Sequence, residues 1–173
     1  ASAGNDFNDT DIIPYYPASF PFDNLVSVGG TTRRDAFYDF SNYGLHSVAL
    51  AAPAETILST FHRSDNDYFT DNGTSFAAGY VSGAAALLRA QFPAASASWI
   101  VQRLLIGADP VASWTGQSRT GGRLNLARAL TPPLAPLVLQ ARRGASPHLV
   151  ELQVRGEPSA GFVLQGSSNL ASW

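Results

Sequence analysis

Short apolar runs separated by turn clusters fill residues 1–60: Leu25-Val26-Ser27-Val28, Val48-Ala49-Leu50-Ala51-Ala52 and Thr56-Ile57-Leu58-Ser59-Thr60. Runs of this length, bounded by Gly, Pro, Asp and Asn, predict strands, and apolar character on both faces suits a buried parallel sheet. Between them, Tyr16-Pro17-Ala18 and Phe20-Pro21-Phe22-Asp23-Asn24 predict irregular backbone, because each proline restricts itself and its predecessor. Residues 61–72, with His62, Arg63, Ser64, Asp65, Asn66 and Asp67, predict a polar surface loop.

The pattern then turns helical. From Thr74 to about Gln91, ahead of Pro93, a run rich in Ala and Gly predicts a buried helix that neighbours approach closely. A second helix is predicted over Ala95 to Ile106, with Trp99, Ile100, Arg103, Leu104 and Leu105 at spacings of three and four and Gly107 as the stop. A third covers Leu124 to Leu130. Thr131-Pro132-Pro133-Leu134-Ala135-Pro136 reads as a stiff linker at 131–136. Beyond it, Leu137-Val138-Leu139-Gln140, Leu149 to Val154 and Phe162-Val163-Leu164-Gln165 predict short strands, the beginning of a β-sandwich module over 137–173 with too few strands to close by itself.

Composition narrows the function classes. A net charge of −2 with 14% charged residues supplies no basic field for a phosphate backbone, and Arg33-Arg34 and Arg142-Arg143 are too short to make one, so nucleic acid is not expected as a partner. No run reaches the roughly 18 to 20 apolar residues of a membrane-spanning helix. With no cysteine, there is neither a disulfide framework, nor a thiolate nucleophile, nor a Cys-based zinc site.

The chemistry concentrates at Gly73-Thr74-Ser75-Phe76-Ala77-Ala78, where a loop turns into the first helix. A serine hydroxyl needs a base to remove its proton and donors aimed at the oxyanion that forms after attack. A helix start supplies such donors, since its first N–H groups are free and the dipole is positive there. Taken by itself, the same tripeptide reads first as an ordinary helix cap, since Ser and Thr are standard caps. Asn5, likewise, reads on its own as a turn residue. His46, His62 and His148 each read as solvated loop histidines, and Asp65, Asp67 and Asp71 as a solvated acidic cluster with a weak cation site as the lesser reading.

Several segments occur together in a known order: Ala3-Gly4-Asn5, Phe40-Ser41-Asn42-Tyr43-Gly44, Ala51-Ala52-Pro53 with Ile57-Leu58-Ser59-Thr60, the Gly73 run followed by Val81-Ser82-Gly83, and Gly121-Gly122-Arg123-Leu124-Asn125 with Ala129-Leu130. Over residues 1–130 the chain resembles the subtilisin-like serine proteases. The resemblance implies a three-layer α/β domain with a parallel sheet, present as its C-terminal half, and a serine endopeptidase working through an acyl-serine intermediate. It implies Ser75 as nucleophile, Asn5 as the oxyanion-hole side chain, and Ala3, Gly4 and Thr74 as substrate-binding residues. The family's order of Asp, His and then Ser puts the catalytic Asp and His before Ala1, so the chain alone is expected to turn over little. Further implications are protein or peptide substrates, a monomeric full-length protein, secretion or display at the cell surface with the signal upstream, no cofactor for the chemistry, and structural calcium as an open possibility.

The chain departs from the family pattern at four places. Gly79 and Tyr80 stand where Pro and His are usual, Ala49 where Asp is common, and Ala54 where Gly follows the proline. These departures motivate a second expectation, a non-catalytic scaffold that binds peptides or surface polymers. A generic α/β-hydrolase fits less well, because Gly73-Thr74-Ser75-Phe76-Ala77 lacks the second glycine of a nucleophile elbow.

Overall fold

The computed structural model describes residues 1–131 together with the backbone of 138–143 and 150–155. In chain order the elements are β1 (Val28–Thr31), β2 (Leu50–Pro53), β3 (Ile57–Thr60), β4 (Tyr68–Asp71), α1 (Thr74–Gln91), α2 (Ala97–Ile106), β5 (Asp109–Pro110), a 3-10 turn (Ala112–Trp114), β6 (Gly122–Arg123) and α3 (Leu126–Leu130). They are followed by β7 (Val138–Arg143) and β8 (Val150–Arg155). The chain divides into two compact units, Ala1–Thr131 and Pro132–Trp173.

The first unit is built on a sheet of order β1-β2-β6-β5. β1 and β2 run parallel from Val28↔Leu50 to Thr31↔Pro53, β2 and β6 are parallel at Ala51↔Arg123, and only β5 is antiparallel to its neighbour. Residues 1–3 extend the sheet beyond β1: the Ala3 N–H donates to the Val28 carbonyl and the Val28 N–H to the Ala1 carbonyl, both at 2.9 Å. Alternation along β2 separates two cores. Leu50 and Ala52 face a cluster with Ala77, Val81, Ala84 and Leu88 of α1 and Ile100 and Leu104 of α2. Ala51 faces the other side, where Ala3, Val48 and the fully buried Trp114 pack with Phe37 and Tyr43.

α1 buries a single stripe, Thr74, Ala77, Val81, Ala84 and Leu88, at spacings of three and four. Small residues on that stripe let the helix lie close to β1 and β2. Its other faces are open in this chain, with Tyr80 46% and Leu87 51% exposed, so the helix is amphipathic rather than buried all round as its composition predicts. α1 ends where the Phe92 N–H closes on the Leu88 carbonyl, just before Pro93 forbids another turn. α2 starts two residues later than its periodicity predicts, because the Ser96 hydroxyl caps it by accepting from the Trp99 N–H. In the same way Asn125 caps α3 by accepting from the Arg128 N–H.

Two expectations change. β3 is not part of the parallel sheet; it pairs antiparallel with β4, from Ile57↔Asp71 to Thr60↔Tyr68. Its alternately half-buried and exposed positions show the two-faced pattern of a surface hairpin. The segment 61–72, which reads as loop, therefore contains the strand β4, and the loop joining it to β3 is braced by the Arg63–Asp67 ion pair at 2.8 Å and by the Arg63 guanidinium 5.0 Å from the Phe61 ring centre.

In the second unit β7 and β8 form an antiparallel pair in register from Val138↔Arg155 to Arg143↔Val150. The strand predicted at Phe162 to Gln165 lies outside the described residues.

The junction of β5, β6 and α3 is tied by Asp109. Its carboxylate accepts from Asn125 Nδ2 at 2.8 Å and from the Arg128 guanidinium at 3.0 Å, with Arg123 at 3.6 Å. Hydrogen bonds from Asn125 and Arg128, followed by the charges of Arg123 and Arg128, hold the Asp109 carboxyl below its ordinary value against a smaller opposing effect of burial. A carboxylate depressed in the folded state adds stability above its unfolded pKa and loses it as pH falls through the folded one. The excess stability of the full-length gene product over its Asp109→Asn variant is thus expected at neutral pH and should shrink progressively below about pH 4. Thermal unfolding across pH checks this, and a difference that stays constant down to acid pH would contradict it.

Candidate active site

The site forms where parallel strands end, the place at which open α/β sheets bind ligands. Residues 1–3 lead into Gly4 and Asn5, and β2 leads into Ala54, whose carbonyl accepts the Gly73 N–H at 2.8 Å and so fixes the residue before α1. Gly73 has φ +139°, a conformation that side chains resist, and it brings the chain into the helix with Thr74 pointing inward and Ser75 exposed at the second helical position.

Three backbone donors open α1, and their partners are unequal. The Thr74 N–H donates to Asn5 Oδ1 at 2.9 Å, and the Phe76 N–H donates to the Gly73 carbonyl at 3.1 Å. Among the described residues the Ser75 N–H has no partner. Asn5 uses its amide oxygen on Thr74 while its Nδ2 donates to nothing among the described residues. Two unengaged amide donors, on Asn5 and Ser75, thus occur with an exposed hydroxyl at the positive end of an 18-residue helix.

Thr74 itself is fully buried. Its hydroxyl accepts from the Gly4 N–H at 3.2 Å and lies 3.1 Å from Asn5 Oδ1 and 3.2 Å from the Gly4 carbonyl, one of which takes its proton. Ala3 and Gly4, expected with Thr74 as substrate-binding residues, are buried, whereas Asn5 next to them is exposed. The Tyr15 ring lies against Gly4, since a Cβ there would come 3.2 Å from Tyr15 Cδ1.

The loop carrying Asn5 is held by a residue that periodicity does not single out. Asn42 is fully buried and bonds the backbone of residues 3, 6 and 8 through its side chain. It belongs to the Phe40 to Gly44 segment, but nothing in a single sequence marks an Asn in a turn-rich stretch as a buried clamp.

The remaining candidates lie elsewhere. His46 and His62 are exposed, and neither is hydrogen-bonded to Ser75; His148 lies outside the described residues. Asp67 is occupied by Arg63, and Asp71 accepts from the Asn72 N–H at 2.8 Å. Among the described residues no three His, Cys, Asp or Glu gather as a metal-binding group. Asp71 contributes instead to a negative field near Tyr38, whose hydroxyl is raised above its usual value by burial first and then by Asp71, Glu55 and Asp39. None of the four departures makes a side-chain hydrogen bond to Ser75 or Asn5 among the described residues. Ala49 and Ala54 are buried in the sheet core, Gly79 has no neighbour within 4 Å of a Cβ, and Tyr80 is exposed.

Fold and site together define an α/β protein with an exposed serine at a helix start, its own N–H and the Asn5 amide donor both unengaged among the described residues. The chain belongs to the subtilase family, whose model (Peptidase_S8) matches residues 1–128. It is 44% identical over 88 residues to subtilisin-like protease 2 of Plasmodium falciparum, covering 51% of this chain and 6% of that protein. It is 38% identical over 130 residues to thermitase of Thermoactinomyces vulgaris, covering 75% of this chain and 43% of that protein. Among solved structures, a protease of Pseudoalteromonas arctica superimposes with a TM-score of 0.67 at 28% identity, covering 75% of this chain and 40% of that one. The chain thus spans less than half the length of these relatives.

Proposed function

We propose that the full-length protein carrying this chain is a serine endopeptidase of the subtilisin type. Ser75 Oγ attacks the carbonyl carbon of the scissile peptide bond and gives its proton to a histidine outside residues 1–173, itself oriented by an aspartate that also lies outside them. The oxyanion that develops accepts from Asn5 Nδ2 and the Ser75 N–H. Collapse of the intermediate breaks the C–N bond, the amine leaves with the proton, and water then hydrolyses the acyl-Ser75 ester. Ala3, Gly4 and Thr74, all buried, back the substrate-binding surface from within.

The observation that carries this reading is the bond from the Thr74 N–H to Asn5 Oδ1. It fixes which end of the Asn5 amide is spent on the fold and leaves the donating end for the reaction. Secretion or attachment at the cell surface fits relatives named as an extracellular serine proteinase of Thermus and a cell wall-associated protease of Bacillus subtilis. No helix among the described residues is long and apolar enough to cross a membrane. Residues 137–173 are assigned as the start of an accessory β-sandwich module, and the full-length protein as a monomer acting on proteins or peptides without a cofactor in the chemistry.

A fluorophosphonate added to the folded full-length gene product tests the reading. The adduct is expected on the peptide containing Ser75, located by mass spectrometry after digestion. A folded product that takes no label at Ser75 would overturn it, and would favour the binding scaffold that the departures at Ala49, Ala54, Gly79 and Tyr80 motivate.

A further inference from the structure

The loop of residues 3–8 has to hold Asn5 in one orientation although two of its residues, Gly4 at φ +108° and Phe7 at φ +53°, sit in the left-handed region. A non-glycine residue there carries strain and persists only where its surroundings impose it. Asn42 imposes it from both sides of Asn5. Its Nδ2 donates to the Ala3 carbonyl at 2.9 Å, and its Oδ1 accepts from the Asp6 N–H and the Asn8 N–H, each at 3.0 Å. Its own backbone N–H donates to the Gly4 carbonyl at 2.9 Å. The residues bracketing Asn5 on either side are thereby fixed to one buried amide.

The fit is close as well as polar. A Cβ on Gly4 would fall 2.2 Å from Asn42 Nδ2, so the loop backbone rests directly on the clamp. Asn42 is in turn immobilised: the Ser41 hydroxyl donates to the Asn42 carbonyl and accepts from the Gly30 N–H, both at 2.9 Å, which ties the clamp to β1. A continuous path of hydrogen bonds therefore runs from the sheet through Ser41 and Asn42 to the loop, and from Asn5 to the first turn of α1. An apolar residue at position 42 would leave the buried Ala3 carbonyl and the part-buried Asp6 and Asn8 N–H groups without their partners, and the loop would shift to satisfy them.

We infer that Asn42 is a positioning residue for oxyanion stabilisation, setting the direction of the Asn5 amide without touching substrate. The inference rests on the reading of Asn5 given above. A residue that acts through Asn5 should lose its influence on turnover once Asn5 is gone, whereas one that only stabilises the fold should act alike in both backgrounds.

The test is a double-mutant cycle in the full-length gene product with Asn42→Ala, Asn5→Ala and the pair, reading kcat and KM on one peptide substrate. N42A is expected to lower kcat about tenfold, within the coupling range of residues in one hydrogen-bond network, with KM changed little. In the N5A background the same substitution should change kcat less than about twofold. An equal loss in both backgrounds, or no loss in either, overturns the inference while leaving the Asn5 reading in place. Full kcat in N5A alone overturns the Asn5 reading and the inference with it. Should N42A fail to fold, Asn42→Asp carries the same cycle, because it keeps the shape and an oxygen for the Asp6 and Asn8 N–H groups while replacing the donor to Ala3 with a carboxylate oxygen; a loss of the same size in both backgrounds again overturns the inference.

Discussion

Replacement of Ser75 by alanine in the full-length gene product is expected to lower kcat on peptide substrates by about 10⁶-fold, the loss known for removing the serine of a subtilisin. No neighbouring hydroxyl can substitute. Thr74 is fully buried with its oxygen engaged by Gly4 and Asn5, and Ser82, about two turns further along the helix, donates its hydroxyl to the Ala78 carbonyl. The fold should tolerate the change, because Ser75 is exposed, forms no side-chain hydrogen bond among the described residues, and occupies a helical position where alanine is favourable. Residual turnover would come from the free donors acting on water. Steady-state rates together with a circular dichroism comparison check both halves, and activity remaining above about 1% of the parent would mean that another group carries the acyl step.

The same features decide how much was legible in the sequence. α1 was readable because a long run of small residues before a proline has few other solutions, and its start at Thr74 coincides with the glycine that turns the chain. β1 is displaced from its apolar run at Leu25 to Val28 and occupies Val28–Thr31 instead. Gly29 and Gly30 carry no side chain to mark them as core, and pairing with β2 rather than hydropathy fixes the register. β4 was hidden for the opposite reason, since all four of its residues are exposed and its partner is a surface strand. At the site, Ser75 and Asn5 could be named from motifs, but each motif alone had an ordinary structural meaning. What joins them, a bond across 69 positions from the Thr74 N–H to Asn5 Oδ1, has no local signature. Asn42 is subtler again: its function lies in four bonds to a loop more than thirty residues earlier, and no pattern of spacing encodes that.

The second large effect concerns Asn5, and it separates the two ends of one amide. Asn5→Ala removes the acceptor for the Thr74 N–H as well as the free donor, whereas Asn5→Asp keeps an acceptor for Thr74 and replaces the donor with a carboxylate oxygen that repels the developing oxyanion. Loss of an oxyanion-hole donor costs on the order of 100- to 1,000-fold in kcat, a magnitude established on the corresponding Asn of a subtilisin. Because the donor acts where charge develops, the loss belongs in kcat and not in substrate binding. N5A should fall into this range, and N5D should lose at least as much with the acceptor for the Thr74 N–H retained at the start of α1. The decisive measurement is the kcat and KM of N5D at neutral pH in the full-length gene product. A kcat lowered at least about 100-fold with KM within a few-fold of the parent is the result this geometry predicts. A kcat within about tenfold of the parent, or a loss confined to KM, would contradict the assignment of Asn5 and the Ser75 N–H as the pair that stabilises the oxyanion.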